Sequence, residues 1–392
     1  MTTESSSGSR LYYLDWLRVI AIICVFFFHN ARFYDTFTDW HLKNATTNVG
    51  ATALVAIMNP WMMPLFFLIS GAGTYFALKN RTILQYIGER TLRILVPLIF
   101  GMLVIVVPQA YYQAVFHGEI PAGYNIFQIL GLYYKSLPDL NFFHLWFLAF
   151  LFLFSIVTSP LLASWMKGGM SVVTKIAAYF DKPWALVLLV VLPLAVADAF
   201  IPQDSFPGDR GSGGWSMVAY LQFFIFGYLI FANARIMEKI KKMGWVALGS
   251  ALATAALLLT VFFDYLVNPA DHSGTPMYIL AMTLEAINTW SFLIAILALA
   301  YHVLNRNNRF LSYANEAVLP FYILHQTVII SIGYYIISLN TGVGIKYLII
   351  SVSSLLVIMI IYELVRRVNV LRFLFGMRWK KKTQGKLSPG GS

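Results

Sequence analysis

The stretch LDWLRVIAIICVFFFHNARF, residues 14–33, decides the class of fold. Ten consecutive apolar residues separate Arg18 from His29, and further aliphatic and aromatic side chains extend the run on both sides. An apolar segment of about 20 residues is the length at which a helix crosses the hydrocarbon core of a bilayer. Segments of this kind recur along the whole chain. A membrane barrel would instead show short stretches of alternating polarity. The composition agrees: 59% of the 392 residues are hydrophobic and 11% are charged, with a mean hydropathy of +0.70. A soluble domain is about half apolar and a quarter charged. A soluble enzyme, a disordered chain and a secreted disulfide scaffold are therefore excluded, and an all-α polytopic transmembrane bundle is expected.

Helices are predicted near 12–34, 50–78, 93–115, 142–165, 184–201, 215–233, 244–267, 277–303, 316–338 and 345–367, about ten spans in all. Pro60 and Pro64 predict a kink or break in the second, and Pro193 interrupts the fifth. With the N-terminus inside, 22 of the 28 lysines and arginines fall on inner loops and the C-terminal tail, 5 fall on the other face, and Arg18 lies within the first span. Cytoplasmic loops carry the excess of Lys and Arg, so both termini are expected in the cytoplasm. The outer connection near 116–141 is expected to hold an interfacial helix, with Tyr133 and Tyr134 at headgroup level. Residues 1–11 read as a disordered segment, 12–367 as the transmembrane domain and 368–392 as a basic tail. The tail's RWKKKTQGK run (378–386) suits anionic lipid better than nucleic acid. The Ser-rich N-terminus lacks the order of regions of a cleaved signal, so the reading is a multi-pass protein of the inner or plasma membrane. Cys24 has no second cysteine to pair with and suits packing.

Ionisable side chains at membrane depth are costly and usually functional. Asp15 and Arg18 stand three residues apart and can pair on one helix face. Arg18 and His29, eleven apart, share that face at roughly 16 Å along the axis. His29 suits general-base chemistry, although a hydrogen-bonded packing role also accounts for it. Arg90 and Arg93 form an R-x-x-R at the start of the third predicted span, where two guanidinium groups and the helix N-terminus suit a phosphorylated ligand. Plain topology-setting charge is the alternative. His144 and Trp146 are expected at the outer interface, Trp146 as part of an aromatic belt. Tyr322 and Gln326 make a polar face beside His325, and Glu285 is a mid-membrane carboxylate in need of a partner. The sequence contains no G-x-S-x-G, Walker loop, G-x-G-x-x-G or H-E-x-x-H, and its His and Cys spacing suggests no metal site.

The ordered set LDWLRVIAIICVFFFH (14–29), MPLFFLISG (63–71), ERTLRILVPLIFG (89–101), HLWFLAFLFLF (144–154), FYILHQ (321–326) and RFLFGM (372–377) resembles the membrane-bound acyltransferase family 3. The branch it is most similar to is the glucan-biosynthesis protein C-like group, which succinylates periplasmic glucans. The resemblance spans about residues 12–378. It implies acyl transfer from cytoplasmic acyl-CoA, as co-substrate and with no bound cofactor, to a hydroxyl of a carbohydrate or other cell-envelope acceptor. It further implies that the signature pairs fall on Arg18 with His29 and on Arg90 with Arg93, with His29 essential and the two arginines helping to hold the donor. Ser70 and Gly71, expected in a turn beside a break at Pro64, are candidates to line the acyl path. An acetyl and a succinyl donor both remain open. The alternative is a proton-coupled secondary transporter, which also uses buried ionisable groups but is built from two similar halves; no internal repeat is visible.

Overall fold

The computed structural model describes residues 10–37, 40–120, 124–136, 141–167, 170–179, 190–201, 210–211, 213–272 and 274–380. The regular structure among them is helical throughout. Among the described residues seven helices are long and apolar enough to cross a membrane, and a bent pair makes an eighth candidate. In chain order the principal helices are α1 (Tyr12–Ala31), α2 (Val49–Leu78), α3 (Ile83–Ile105), α4 (Val107–Phe116), α5 (Ile126–Ser136), α6 (Trp146–Lys167) and α7 (Met170–Tyr179). They continue with α8 (Leu192–Phe200), α9 (Met217–Ala232), α10 (Ala234–Thr260), α11 (Pro276–Val303), α12 (Arg309–Ile336), α13 (Val343–Val365) and α14 (Asn369–Leu374). The expected fifth span is represented by α8 alone, since residues 181–189 lie outside the described residues, as do 1–9 and 381–392.

Several boundaries differ from the hydropathy reading. The seventh and ninth predicted helices begin ten and seven residues earlier, at Ala234 and Arg309. Asn233 and Asn308 explain this, because each accepts a hydrogen bond from a first-turn backbone N–H. The polar first turns they start, with Arg235, Lys239 and Arg309, had the composition of loops. The basic tail is also shortened. Residues 369–374 form α14, where buried Arg372 donates to Glu316 at 2.7 Å and to the Arg378 and Arg366 carbonyls.

The prolines do not break α2, which runs unbroken from Val49 to Leu78. Pro64 has no N–H for the Pro60 carbonyl four residues back. That carbonyl instead accepts from Trp215 Nε1 at 3.0 Å and Thr289 Oγ1 at 3.1 Å, so one side chain from α11 and one from the residues before α9 replace the missing helical bond. Pro160 frees the Ile156 carbonyl, which Ser159 Oγ takes at 3.0 Å. In α3 the turns at Thr91–Leu95 and Gly101–Ile105 widen to π geometry, and α4 leaves at 43°. The Met102 and Leu103 carbonyls near that bend accept from the Tyr133 and Tyr134 hydroxyls of α5, at 2.5 and 2.9 Å. The helix expected in this connection exists as α5, and its tyrosines serve the backbone of α3, Tyr133 buried and Tyr134 exposed.

Gly71 lies inside α2, not in a turn. Its Cα faces the Phe224 carbonyl of α9, while Gly227 of α9 faces the Leu68 carbonyl of α2. This reciprocal pair brings the two backbones together at their crossing, so Gly71 has no room to line a path. α1 packs against α2, α11, α12 and α13, which places the charged stripe of the first helix inside the bundle.

Candidate functional site

One end of α1 carries a cluster of cations. Arg18 pairs with buried Asp15 at 3.0 Å, and Arg10 holds the other carboxylate oxygen at 2.7 Å. The Arg18 guanidinium lies over Gly73 of α2, where an added Cβ would sit 3.6 Å from Nη2. The Arg90 charge acts on Arg18 from α3. Arg90 itself covers the ring of Tyr86 at 4.9 Å, and Tyr86 bonds Thr74 Oγ1, whose hydroxyl donates to the Ser70 carbonyl. Ser70 thus belongs to the α2 face that supports Arg90. The Arg378 charge acts on Arg93, and Gly376, with φ of 70°, turns the chain so that it rests against the Arg93 carbonyl. Among the described residues neither Arg90 nor Arg93 makes an ion pair.

The expectation that Arg90 and Arg93 open a helix is corrected. α3 begins at Ile83, and its free first-turn N–H groups belong to a capping box of Thr82 and Gln85. The two arginines lie in the helix interior, Arg93 inside the first π turn. Their contribution is charge and side-chain N–H groups, with no helix N-terminus behind them.

The other end of α1 meets a group of histidines. His29 and His325 have ring centroids 5.2 Å apart, and His144 and His325 likewise 5.2 Å. His144 is buried within the protein. Two latches hold it: its Nε2 donates to the Ile323 carbonyl at 3.0 Å, and its own carbonyl accepts from the Tyr322 hydroxyl. Phe143, just before it, has φ of 46°, the only positive value at a described non-glycine residue. Such strain persists where the surrounding structure over-determines it, and here it turns His144 inward. Trp146 is half-buried and packs on Tyr220 and Phe150.

The segment after α1 covers this cluster and was missed in the sequence. Trp40 stacks on His29 at 5.8 Å and 13°. His41 Nδ1 donates to Gln113 Oε1 at 2.5 Å, and its Nε2 accepts from Gln326 at 2.6 Å and Gln109 at 3.3 Å. Thr327 donates to Gln109 in turn. The segment is fastened at Asp35, which receives Arg32 at 3.1 Å and Lys43 at 2.9 Å, and at Asn44, which receives buried Lys346 at 2.8 Å. Burial, the largest influence, pushes the His41 imidazole down to about 4, so it is neutral, with both nitrogens used. The other three rings each have a sealed nitrogen with no partner: His29 Nδ1, His144 Nδ1 and His325 Nε2. His41 is therefore a structural histidine, and His29, His144 and His325 are the ones with hydrogen-bonding capacity to spare.

Glu285 does not reach this cluster. It pairs with Arg210 at 2.8 Å, and Arg210 also lies over Trp215 at 5.1 Å. Among the described residues no group of three or more His, Cys, Asp or Glu is arranged to hold a metal ion. A sequence pointer to the missed residues existed. The polar side chains Gln109 and Gln113 stand i, i+4 on an otherwise apolar helix, in register to meet one partner.

A family model described as an acyltransferase domain matches residues 11–363. The chain is 24% identical over 395 residues to glucans biosynthesis protein C of Escherichia coli strain K12, covering 97% of this chain and 98% of that protein. It is 23% identical over 399 residues to the protein of the same name from Salmonella heidelberg strain SL476, covering 99% and 100%. No solved structure matches.

Proposed function

The chain belongs to the membrane-bound acyltransferase family 3, and from that premise we propose that it is an O-acyltransferase of the cell membrane that takes its acyl group from acyl-CoA. The acceptor is a hydroxyl of a carbohydrate or another cell-envelope molecule. Family membership displaces the transporter reading. The observation that carries the proposal is the division of chemistry along α1. Arg90, which makes no ion pair among the described residues, acts on Arg18 at one end, with Arg93 three residues further along α3, and three histidines with unpartnered ring nitrogens, His29, His325 and His144, gather at the other.

Each end suits one substrate. Phosphate groups of CoA match guanidinium donors, and the excess of basic residues on the loops supports a cytoplasmic position for that end. His29 takes the proton from the acceptor hydroxyl as the new C–O bond forms at the thioester carbonyl. The C–S bond breaks, and the proton returns from His29 to the departing sulfur, leaving the base as it began. Asp15 holds Arg18 in place, and the basic tail beyond Trp379 supplies contact with anionic lipid.

The test uses the purified full-length protein with labelled acyl-CoA and membrane extract, read as CoA release and as label transferred to an acceptor. His29→Ala is expected to abolish both. Arg90→Ala is expected to weaken acyl-CoA binding by about tenfold, the loss of one charge-assisted contact. Full activity in His29→Ala, or unaltered donor affinity in Arg90→Ala, overturns the corresponding half of the proposal.

A further inference from the structure

The proposed base has no visible partner to hold its ring, and a base that works as an imidazole needs one that fixes which nitrogen carries the hydrogen. His29 donates to and accepts from no residue of the described structure. Its Nδ1 is sealed from solvent without a partner, whereas its Nε2 is absent from the sealed, unpartnered atoms. The neighbouring ring has the complementary defect. His325 Nδ1 lies 2.6 Å from the Tyr322 carbonyl. A carbonyl only accepts, so that nitrogen carries the hydrogen and Nε2 bears a lone pair. That Nε2 is also sealed and unpartnered. One buried nitrogen that can donate therefore stands beside one that can only accept. The ring centroids are 5.2 Å apart at 41°; the two nitrogens are not hydrogen-bonded with the rings as they stand, and rotation of the His29 ring within that separation is what brings them to the about 2.9 Å of an N–H···N bond.

We infer that His325 is the positioning residue of the base: it accepts the His29 Nδ1–H, which leaves the lone pair of His29 on Nε2, the nitrogen not sealed inside the protein. The inference rests on the proposed role of His29. A sealed, unsatisfied polar atom costs about 1–3 kcal/mol, and this one bond satisfies two of them. The chain then runs from the Tyr322 carbonyl to His325 to His29. It has the logic of a base oriented by a third group, with a neutral imidazole and a backbone carbonyl where other enzymes use a carboxylate. The choice suits the place, because a carboxylate buried here without a cation would be far more costly than a neutral ring. His144 does not compete for the role. Its Nε2 is held by Ile323 and its unpartnered Nδ1 is an acceptor, so it stands beside His325 as a second acceptor with no hydrogen to offer it.

The experiment compares His325→Leu, which removes the acceptor, with His325→Gln, which returns an acceptor oxygen, and runs His29→Ala alongside. All three are full-length proteins assayed for CoA release with acyl-CoA and membrane extract. Each is first checked for monodisperse elution and for a melting temperature near that of the unaltered protein. The expected result is a kcat about 100-fold lower in His325→Leu, with KM for acyl-CoA changed less than about twofold, and recovery of most of that loss in His325→Gln. A His325→Leu protein with unchanged kcat, beside an inactive His29→Ala, overturns the inference and leaves the base in place. Equal loss in folded His325→Leu and His325→Gln overturns it as well, because an acceptor is then not what the position supplies. Activity in His29→Ala overturns the reading on which the inference stands. Should His325→Leu fail to fold, the kcat and KM of His325→Gln decide: a raised KM with unchanged kcat contradicts a positioning role.

Discussion

The crossing of α2 and α9, where a glycine of each helix faces backbone of the other, limits side-chain size in a way that can be measured. At Gly227 an added Cβ would land on the Leu68 carbonyl of α2, and at Gly71 on the Phe224 carbonyl and Tyr228 nitrogen of α9. In both cases the obstacle is backbone, so no side chain can rotate away and the helices must part. Overpacking in a core costs about 1–3 kcal/mol, and an obstacle of this kind belongs at the upper end. Gly227→Ala should therefore cost about 3 kcal/mol, a shift in the folding equilibrium of about 100-fold. For a chain of this size the melting temperature should fall by roughly 5 °C. The control lies in the same fold. Gly249 in α10 has nothing within 4 Å of its would-be Cβ, and alanine there should stabilise by about 0.5–1 kcal/mol by restricting the unfolded chain.

Thermal unfolding of the detergent-solubilised protein, followed by tryptophan fluorescence, measures both. Activity should fall in step for Gly227→Ala, because α2 also carries Gly73 beneath Arg18 and Ser70 beneath the Tyr86–Arg90 pair. The double variant Gly71→Ala/Gly227→Ala should cost less than the sum of its parts, since either substitution alone opens the one crossing. Equal melting temperatures for Gly227→Ala, Gly249→Ala and the unaltered protein would refute the reasoning.

Three further outcomes are expected. Tyr133→Phe leaves the buried Met102 carbonyl short of a donor and should cost about 1–3 kcal/mol in thermal unfolding, whereas Tyr134→Phe, exposed and replaceable by water, should cost well under 1 kcal/mol; equal effects would contradict the assignment. His41, held down to about 4 in the folded protein, titrates near 6.5 once unfolded. The unfolded state therefore binds the extra proton first, and stability should fall as pH drops from about 6.5 to about 4, by on the order of 3 kcal/mol. His41→Gln should flatten that slope in pH-dependent melting, and an unchanged slope would remove His41 as its source. Arg378→Ala should weaken acyl-CoA binding about three- to tenfold, more at low salt than at high, with the melting temperature unchanged; identical affinity would detach the C-terminal turn from the donor site.

The membrane class, the helical fold and the pairing of Arg18 with Asp15 were legible in the sequence because each depends on neighbours along one helix. The grouping of His29 with His325 and His144 was not, since it joins three helices whose order in space no local period records. His144 was misplaced for a related reason. Hydropathy puts it at the end of an apolar run, while the strained Phe143 and the latch to Ile323 turn it inward. The prolines of α2 misled in the same way, because the side chains that satisfy the Pro60 carbonyl come from residues 215 and 289. Helix starts at Ala234 and Arg309 were legible in principle through Asn233 and Asn308, but a hydropathy window weighs the charged first turn and overlooks the cap.

The two ends of α1 also treat charge in opposite ways, and this bears on how the substrates are divided. At the histidine end the cations are fastened: Arg32 and Lys43 to Asp35, Lys346 to Asn44 and the Ile337 carbonyl, Arg210 to Glu285. What faces the centre there is neutral, namely imidazoles, glutamine amides and Trp40. Such a surface offers chiefly hydrogen bonds and stacking, which suits an uncharged hydroxyl acceptor better than a phosphate. At the basic end Arg93 feels the like charges of Arg378 and Arg90, offset in part by Glu89, and among the described residues neither Arg90 nor Arg93 makes an ion pair. Such a group of like charges is stabilised by whatever anion binds it. Under the proposed function the phosphates of CoA are that anion, and they anchor the donor roughly 16 Å along α1 from His29. The long, flexible arm between the phosphates and the thioester then becomes a requirement of the geometry. A short acyl phosphate held by the same arginines would leave its carbonyl stranded at the basic end, so it should bind in competition with acyl-CoA and yet transfer nothing.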